Sequence, residues 1–319
     1  MTGHYGFPQK PKALRKGSSM AYFAPASPPS GLSEVQGGVH ELQRFGYEAI
    51  PAHELLPTGY FAASSEQRFR GFRSALRNAK IQGLVAVRGG YGSTYLLDDL
   101  QREAFGNLDG PKFLIGYSDI TALQTYLWQS EMWVTFYGPM LAAGFGNGAG
   151  CARGYDEFSF LQCATNTVGN WSINLSADPL MSGEAEGGIL GGCLSILQTS
   201  LGTPWELNTE NAILLLEDTH MKPYQVDRAL MHLKQAGKLS GLRGVILGDF
   251  PNCDPPVANS PTVHEVCKRI LAPLGVPVVY GAPIGHTARP MLTVPLGVRA
   301  RLHAKGEGTL EILEPTVVD

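Results

Sequence analysis

Along the first part of the chain, short apolar runs alternate with longer stretches in which apolar residues recur every three or four positions. Residues 20–25 read as a buried strand closed by the proline-rich 26–29, and residues 34–44 as a helix ending at Gly46. A strand is predicted over 47–51. The spacing of Phe69, Phe72, Leu76 and Ala79 places them on one face of a helix over 65–80. Residues 83–87 form a continuous apolar run, 113–115 a further short strand, and 119–129 a helix. Strands alternating with helices at this pitch predict an α/β fold, with a doubly wound, flavodoxin-like parallel sheet over residues 18–141.

From 142 to 174 the periodicity lapses into glycines and small polar residues, so 142–186 is expected to be a linker, one too long for a turn. Residues 187–319 then read as a mixed α/β domain. Helices are predicted over 193–201, 223–235 and 263–271, and strands over 212–217, 244–248 and 276–280. In the tail, 292–304 and 309–313 look like paired strands. No internal repeat or low-complexity segment breaks this order.

Composition narrows the field. Of 319 residues 44% are hydrophobic and 17% charged, enough to bury a core and too apolar for wholesale disorder. The formal net charge is −3 and no basic stretch stands out, which argues against nucleic acid or an anionic membrane as partner. Five scattered cysteines form no CxxC pair, so neither a zinc ribbon nor a disulfide framework is expected. Residues 1–16 are basic but lack the apolar core of a signal peptide, and no run of about 18 apolar residues occurs. Reduced thiols and a cytoplasmic location follow as expectations.

Four segments carry side chains that can do chemistry. In Gly116-Tyr117-Ser118-Asp119 a serine stands at a strand-to-helix turn, where α/β sheets open to ligands and the first-turn N–H groups can hold an oxyanion. The plainer reading makes Ser118 or Asp119 a helix N-cap. Arg88-Gly89-Gly90-Tyr91-Gly92-Ser93 follows another apolar strand; it lacks the Lys-Ser/Thr of a phosphate loop and the GxGxxG spacing, but its backbone can approach a ligand, with Gly90 the best donor. Glu217 closes the apolar run 214–216, a costly place for a carboxylate without a partner, unless it or Asp218 only caps the next helix. His286, between Gly285 and Thr287, has the freedom of a loop at a strand's end, although lone loop histidines are usually just solvated. His220 is the competing base, but three residues from Glu217 it would struggle to bridge that carboxylate to Ser118. The order Ser, acid, His is that of α/β-hydrolases, yet Ile120 spoils the GxSxG elbow.

Residues 88–93, 116–121, 191–204, 216–250 and 281–298 together resemble the LD-carboxypeptidase family, which includes muramoyltetrapeptide carboxypeptidases and microcin-immunity hydrolases. The resemblance runs from about residue 20 to 313. It implies a catalytic triad of Ser118, Glu217 and His286 at an interface of two domains, an oxyanion hole near Gly90 and the Asp119 amide, and a homodimer with no metal and no cofactor. Cys193 stands where relatives often carry Asn, and Tyr137 where His is frequent. The implied reaction is serine-type hydrolysis of the L,D-amide between meso-diaminopimelate and terminal D-alanine in murein tetrapeptides, during peptidoglycan recycling. The substrate's free carboxylate needs a cation, for which Arg88 and Arg289 are near by motif. Hydrolysis of peptidyl or aminoacyl-sulfamoyl adenylates is the alternative. A non-catalytic ligand-binding module would leave the three residues unexplained.

Overall fold

The computed structural model describes residues 7–103 and 110–319. The first unit runs β1 (Ser19–Phe23), α1 (Leu32–Arg44), β2 (Glu48–Pro51), α2 (Ser65–Arg77), β3 (Ile81–Ala86), α3 (Leu97–Arg102), β4 (Phe113–Gly116), α4 (Thr121–Glu131) and β5 (Thr135–Tyr137). Its strands lie in the order β5-β4-β3-β1-β2, all parallel, which is the flavodoxin-like winding expected. β4 is buried at every position, as a strand covered on both faces must be, which is why it reads as an unbroken apolar run. α2 opens on a capping box in which Ser64 Oγ accepts the Gln67 N–H and the Gln67 side chain answers the Ser64 N–H.

The chain continues through α5 (Glu157–Thr165), β6 (Trp171–Asn174), β7 (Asp178–Met181), β8 (Gly183–Cys193), α6 (Leu194–Thr199), β9 (Ala212–Glu217), α7 (Pro223–Gln235), β10 (Gly244–Gly248), α8 (Val263–Leu271), β11 (Val278–Ala282), β12 (Val294–Leu296), β13 (Arg299–Ala304) and β14 (Thr309–Ile312). A second sheet has the order β6-β14-β13-β8-β9-β10-β11-β7. Its centre, β8 to β11, is parallel and its flanks are antiparallel, giving the mixed unit predicted.

Two expectations differ from the fold. The stretch 142–186, read as a linker, holds α5, β6, β7 and the start of β8. α5 is nine residues long and is fixed less by periodicity than by its ends and its core contacts: Asp156 accepts the Ser159 N–H, and Phe160 packs between Phe45 and Phe145. In the tail, β13 and β14 pair as predicted, but β12 leaves them and joins the first sheet antiparallel to β5, Val294 opposite Tyr137. β5 would otherwise be a bare apolar edge.

Alternate residues of β9 bind the two layers. Ile213 and Leu215 share a buried cluster with Leu114 and Ile115 of the first sheet. Leu214 and Leu216, on the opposite face, pack with Val226 and Leu230 of α7 and Val266 and Ile270 of α8. Among the described residues no helix is long and apolar enough to cross a membrane. The carboxyl ends of β3, β4, β8, β9 and β11 all deliver residues to the site described next.

Candidate active site

Two residues after β4, Ser118 has φ +63°, the left-handed region that costs a non-glycine residue about 1–3 kcal/mol. A 3-10 turn over Ser118–Ile120 therefore precedes α4, in place of the continuous helix over 119–129 that the spacing suggested. The Ser118 N–H donates to the Tyr137 hydroxyl at 3.2 Å. Gly89 passes directly behind: a Cβ there would lie 2.9 Å from Ser118 Cβ, 3.0 Å from its Oγ and 3.4 Å from the Asp119 nitrogen. Only glycine lets the loop come so close. The Asp119 carboxylate turns away and accepts the Ser93 N–H at 2.8 Å, tying the two loops together. Burial raises the Asp119 pKa, against the lowering effect of the Ser93 hydrogen bonds and the Arg68 charge.

Glu217 ends β9 wholly buried. Its Oε2 accepts the His286 backbone N–H at 2.8 Å and faces His286 Nδ1 at 2.9 Å, while Oε1 accepts the Tyr137 hydroxyl at 2.5 Å. Burial by itself would raise this carboxyl, but the His286 charge and the hydrogen bonds from His286 and Tyr137 hold it below its ordinary value. For His286 burial works downward; the Glu217 charge and hydrogen bond, helped by Asp218, prevail and leave the imidazole above its usual 6.5. A carboxylate only accepts, so Nδ1 carries the hydrogen toward Glu217 and Nε2 is left as the basic nitrogen. The Tyr117 and His286 rings meet nearly perpendicular, centroids 5.1 Å apart.

Local backbone chemistry explains how the histidine gets there. Gly285 has φ +63°, and a Cβ on it would stand 2.3 Å from Glu217 Cδ. Just beyond β10, Asp249 accepts from the Thr287 hydroxyl and from Arg289 Nη2 at 2.6 Å, and Arg289 also donates to the Gly281 carbonyl. These contacts fasten both ends of the loop that carries His286.

Ser118 and His286 share the wall of a cleft of about 460 Å³, together with Arg88, Gly89, Gly90 and Tyr117. Of the residues singled out in the sequence, Ser118, His286, Gly90 and Arg88 meet there, and Glu217 stands behind His286. Arg88 Nη1 donates to the Pro28 carbonyl at 2.8 Å, and Gly90 backs onto Ser27. Arg289 is not on this wall; its guanidinium is taken by Asp249, so it braces the histidine loop. His220 faces the same cleft, but the Glu217 oxygens are occupied by His286 and Tyr137, and its Nδ1 lies 3.0 Å from Thr219 Oγ1. The sequence offered Asp218 only as a cap of the next helix and Tyr137 only as a departure from the family pattern; Asp218 in fact lines the cleft and accepts the Ser195 N–H at 2.8 Å. A polar ring in the apolar run before Gly138-Pro139 was the available signal for Tyr137.

Comparison with known proteins places the chain in a family. The LD-carboxypeptidase N-terminal domain matches residues 20–138, and the LD-carboxypeptidase C-terminal domain matches residues 186–302. The chain belongs to the LD-carboxypeptidase family. This family member is 32% identical over 306 residues to the probable murein peptide carboxypeptidase of Bacillus subtilis, covering 95% of this chain and 94% of that one. It is 27% identical to the microcin C7 self-immunity protein MccF of Escherichia coli, over 90% of each chain. Among solved structures, the muramoyltetrapeptide carboxypeptidase of Oxalobacter formigenes superposes with a TM-score of 0.81 at 29% identity, covering 95% of this chain and 100% of that one. MccF in complex with aspartyl sulfamoyl adenosine gives 0.84 over 97% of this chain and 100% of the other; at 24% identity that likeness concerns the fold. The protein is thus a hydrolase of the murein peptide carboxypeptidase family, with microcin-immunity homologues.

Proposed function

We propose that the protein is a cytoplasmic, homodimeric serine L,D-carboxypeptidase of peptidoglycan recycling. It releases terminal D-alanine from murein tetrapeptides by cleaving the amide at the L-centre of meso-diaminopimelate. The observation that carries this reading is the buried Glu217 carboxylate holding His286 Nδ1 in the cleft that Ser118 shares. His286 Nε2 takes the Ser118 proton as Oγ attacks the carbonyl, and Glu217 stabilises the imidazolium. Because the Ser118 N–H is committed to Tyr137, the oxyanion falls to the Asp119 N–H beside Gly89 and to the Gly90 N–H. The imidazolium then protonates the departing D-alanine amine, and the same histidine activates the water that hydrolyses the acyl-enzyme. Arg88, on the cleft wall, is the cation for the substrate's carboxylate.

The substrate rests on the 32% identity to the murein enzyme, against 27% to the immunity protein. The test compares kcat/KM for tetrapeptide, pentapeptide and an aminoacyl-sulfamoyl adenosine, with Ser118→Ala as control. A pocket built for an L,D-bond misplaces the D,D-bond of pentapeptide, and a displacement of about 1 Å costs roughly 100-fold. Tetrapeptide should be cleaved fastest, and Ser118→Ala should lose on the order of 10³-fold or more. Faster cleavage of the adenosine conjugate would move the assignment to the immunity-type reaction. A serine variant keeping a tenth of the activity would end the nucleophile assignment.

A further inference from the structure

Tyr137 closes β5, fully buried. Its backbone is held on both sides, opposite Gly116 of β4 and opposite Val294 of β12. From there the side chain crosses to the second sheet. One hydroxyl does two things at once: it accepts the Ser118 N–H and donates to Glu217 Oε1. The phenol keeps its proton, because burial and the adjacent Glu217 charge push its ionisation well above the ordinary value.

We propose that Tyr137 is a positioning residue that ties the backbone of the nucleophile turn to the acid of the triad, setting both the Ser118 conformation and the strength with which Glu217 holds His286. The proposal rests on the assignment of Ser118, Glu217 and His286 given above. Its first half follows from strain. With φ at +63°, Ser118 presents its N–H toward β5, and the buried Tyr137 hydroxyl gives that half-buried donor a partner. Its second half follows from counting acceptors. Oε1 receives a strong donor, which helps fix the carboxylate plane with Oε2 turned to both His286 N–H groups. A donor on one oxygen also lowers the basicity of the carboxylate as a whole, so Tyr137 weakens the pull of Glu217 on the imidazole proton. The same carboxylate is faced by Tyr117 next to the nucleophile, Cys193 at the end of β8, Asp218 beside it and His286 itself. The test leaves all of these in place.

Tyr137→Phe keeps the ring and removes the hydroxyl. Turnover of tetrapeptide should fall by about 10- to 100-fold, with KM within twofold because Tyr137 does not line the cleft. In the substrate-free protein, His286 followed by imidazole nitrogen chemical shifts should titrate about half a pH unit or more higher than in the wild type. Incorporation of meta-fluorotyrosine at position 137 keeps the fold contacts and strengthens the donor, so it should move the same titration downward. Opposite displacements by a weaker and a stronger donor are not produced by a role in packing alone. A folded Tyr137→Phe protein with an unmoved His286 titration and turnover within twofold of wild type would overturn the proposal. Should that variant not fold, an unmoved titration in the fluorinated protein would do the same. Ser118→Ala assayed in parallel separates the two assignments: if it retains turnover the nucleophile is wrong, whereas the His286 titrations still report on Tyr137.

Discussion

Glu217→Gln keeps the outline of the side chain and removes its charge. The carboxylate receives three donors, two from His286 on Oε2 and one from Tyr137 on Oε1. An amide offers one acceptor oxygen and one donor nitrogen. Turning the nitrogen toward His286 would set it against two N–H groups; turning the oxygen there satisfies both and leaves only the Tyr137 hydroxyl hydrogen unmatched. The second arrangement is preferred, and one unmatched buried group costs about 1–3 kcal/mol of stability. In the transition state the variant lacks the charge that steadies the imidazolium, a charge-assisted hydrogen bond worth about 1.5–3 kcal/mol. At about 1.4 kcal/mol per decade this is a 10- to 100-fold loss in kcat/KM. The loss is smaller than the roughly 10⁴-fold seen where an amide enforces the wrong tautomer, because Nδ1–H still finds an oxygen. With the charge gone, burial is the main influence left on His286, so the acid limb of kcat/KM should move to lower pH. The assay is a pH profile on tetrapeptide, with circular dichroism as the check on folding. A loss of less than threefold, or a limb displaced upward, would refute the account of Glu217.

Gly285→Ala should cost on the order of 2–4 kcal/mol and most of the activity, since its Cβ would stand 2.3 Å from Glu217 Cδ at a left-handed φ; thermal melting within a degree of wild type would contradict this. For the wild type, the acid limb of kcat/KM should lie above the usual imidazole value of 6.5, because the raised His286 must lose its proton before it can act as base. The stability of the pair has the opposite pH dependence. The lowered Glu217 contributes above about 4.5 and loses that contribution as pH falls through its folded value; the raised His286 contributes fully below about 6.5 and loses it as pH rises through its folded value. The stability difference between wild type and His286→Gln, from urea unfolding at a series of pH values, should therefore be largest between about 4.5 and 6.5.

Where local pattern decides structure, the sequence was readable. The apolar runs of β3, β4, β9 and β10 and the capped, one-faced helices α2 and α8 all form near their predicted places. Of the site, the residues at the ends of strands were legible: Ser118, Glu217 and His286 each follow or close an apolar run, and the winding of parallel strands brings such ends to one side. What escaped depends on distant partners. α5 is held by aromatic rings from elsewhere in the chain, and β12 is a strand because β5 needs a neighbour. Arg289 looked like a free cation by its place in the motif, yet Asp249, forty residues earlier, claims it. Tyr137 sits in an apolar strand, and only the meeting of two sheets gives its hydroxyl a purpose.

The pairing of β12 with β5 has a bearing on how the protein is made. During synthesis the first sheet emerges early, but its outer strand must wait for residues 294–296, near the end of the chain. Until then β5 stands unguarded, and with it the tyrosine that will bridge the two sheets. A chain cut short in the second unit before residue 294 would carry an open apolar edge, prone to pairing with other chains. Splitting the two family-matched domains at position 186 and producing them separately would recreate that fragment. The two units are thus bound together in their making as well as at the candidate site, whose bridging tyrosine is flanked on both sides only once β12 arrives.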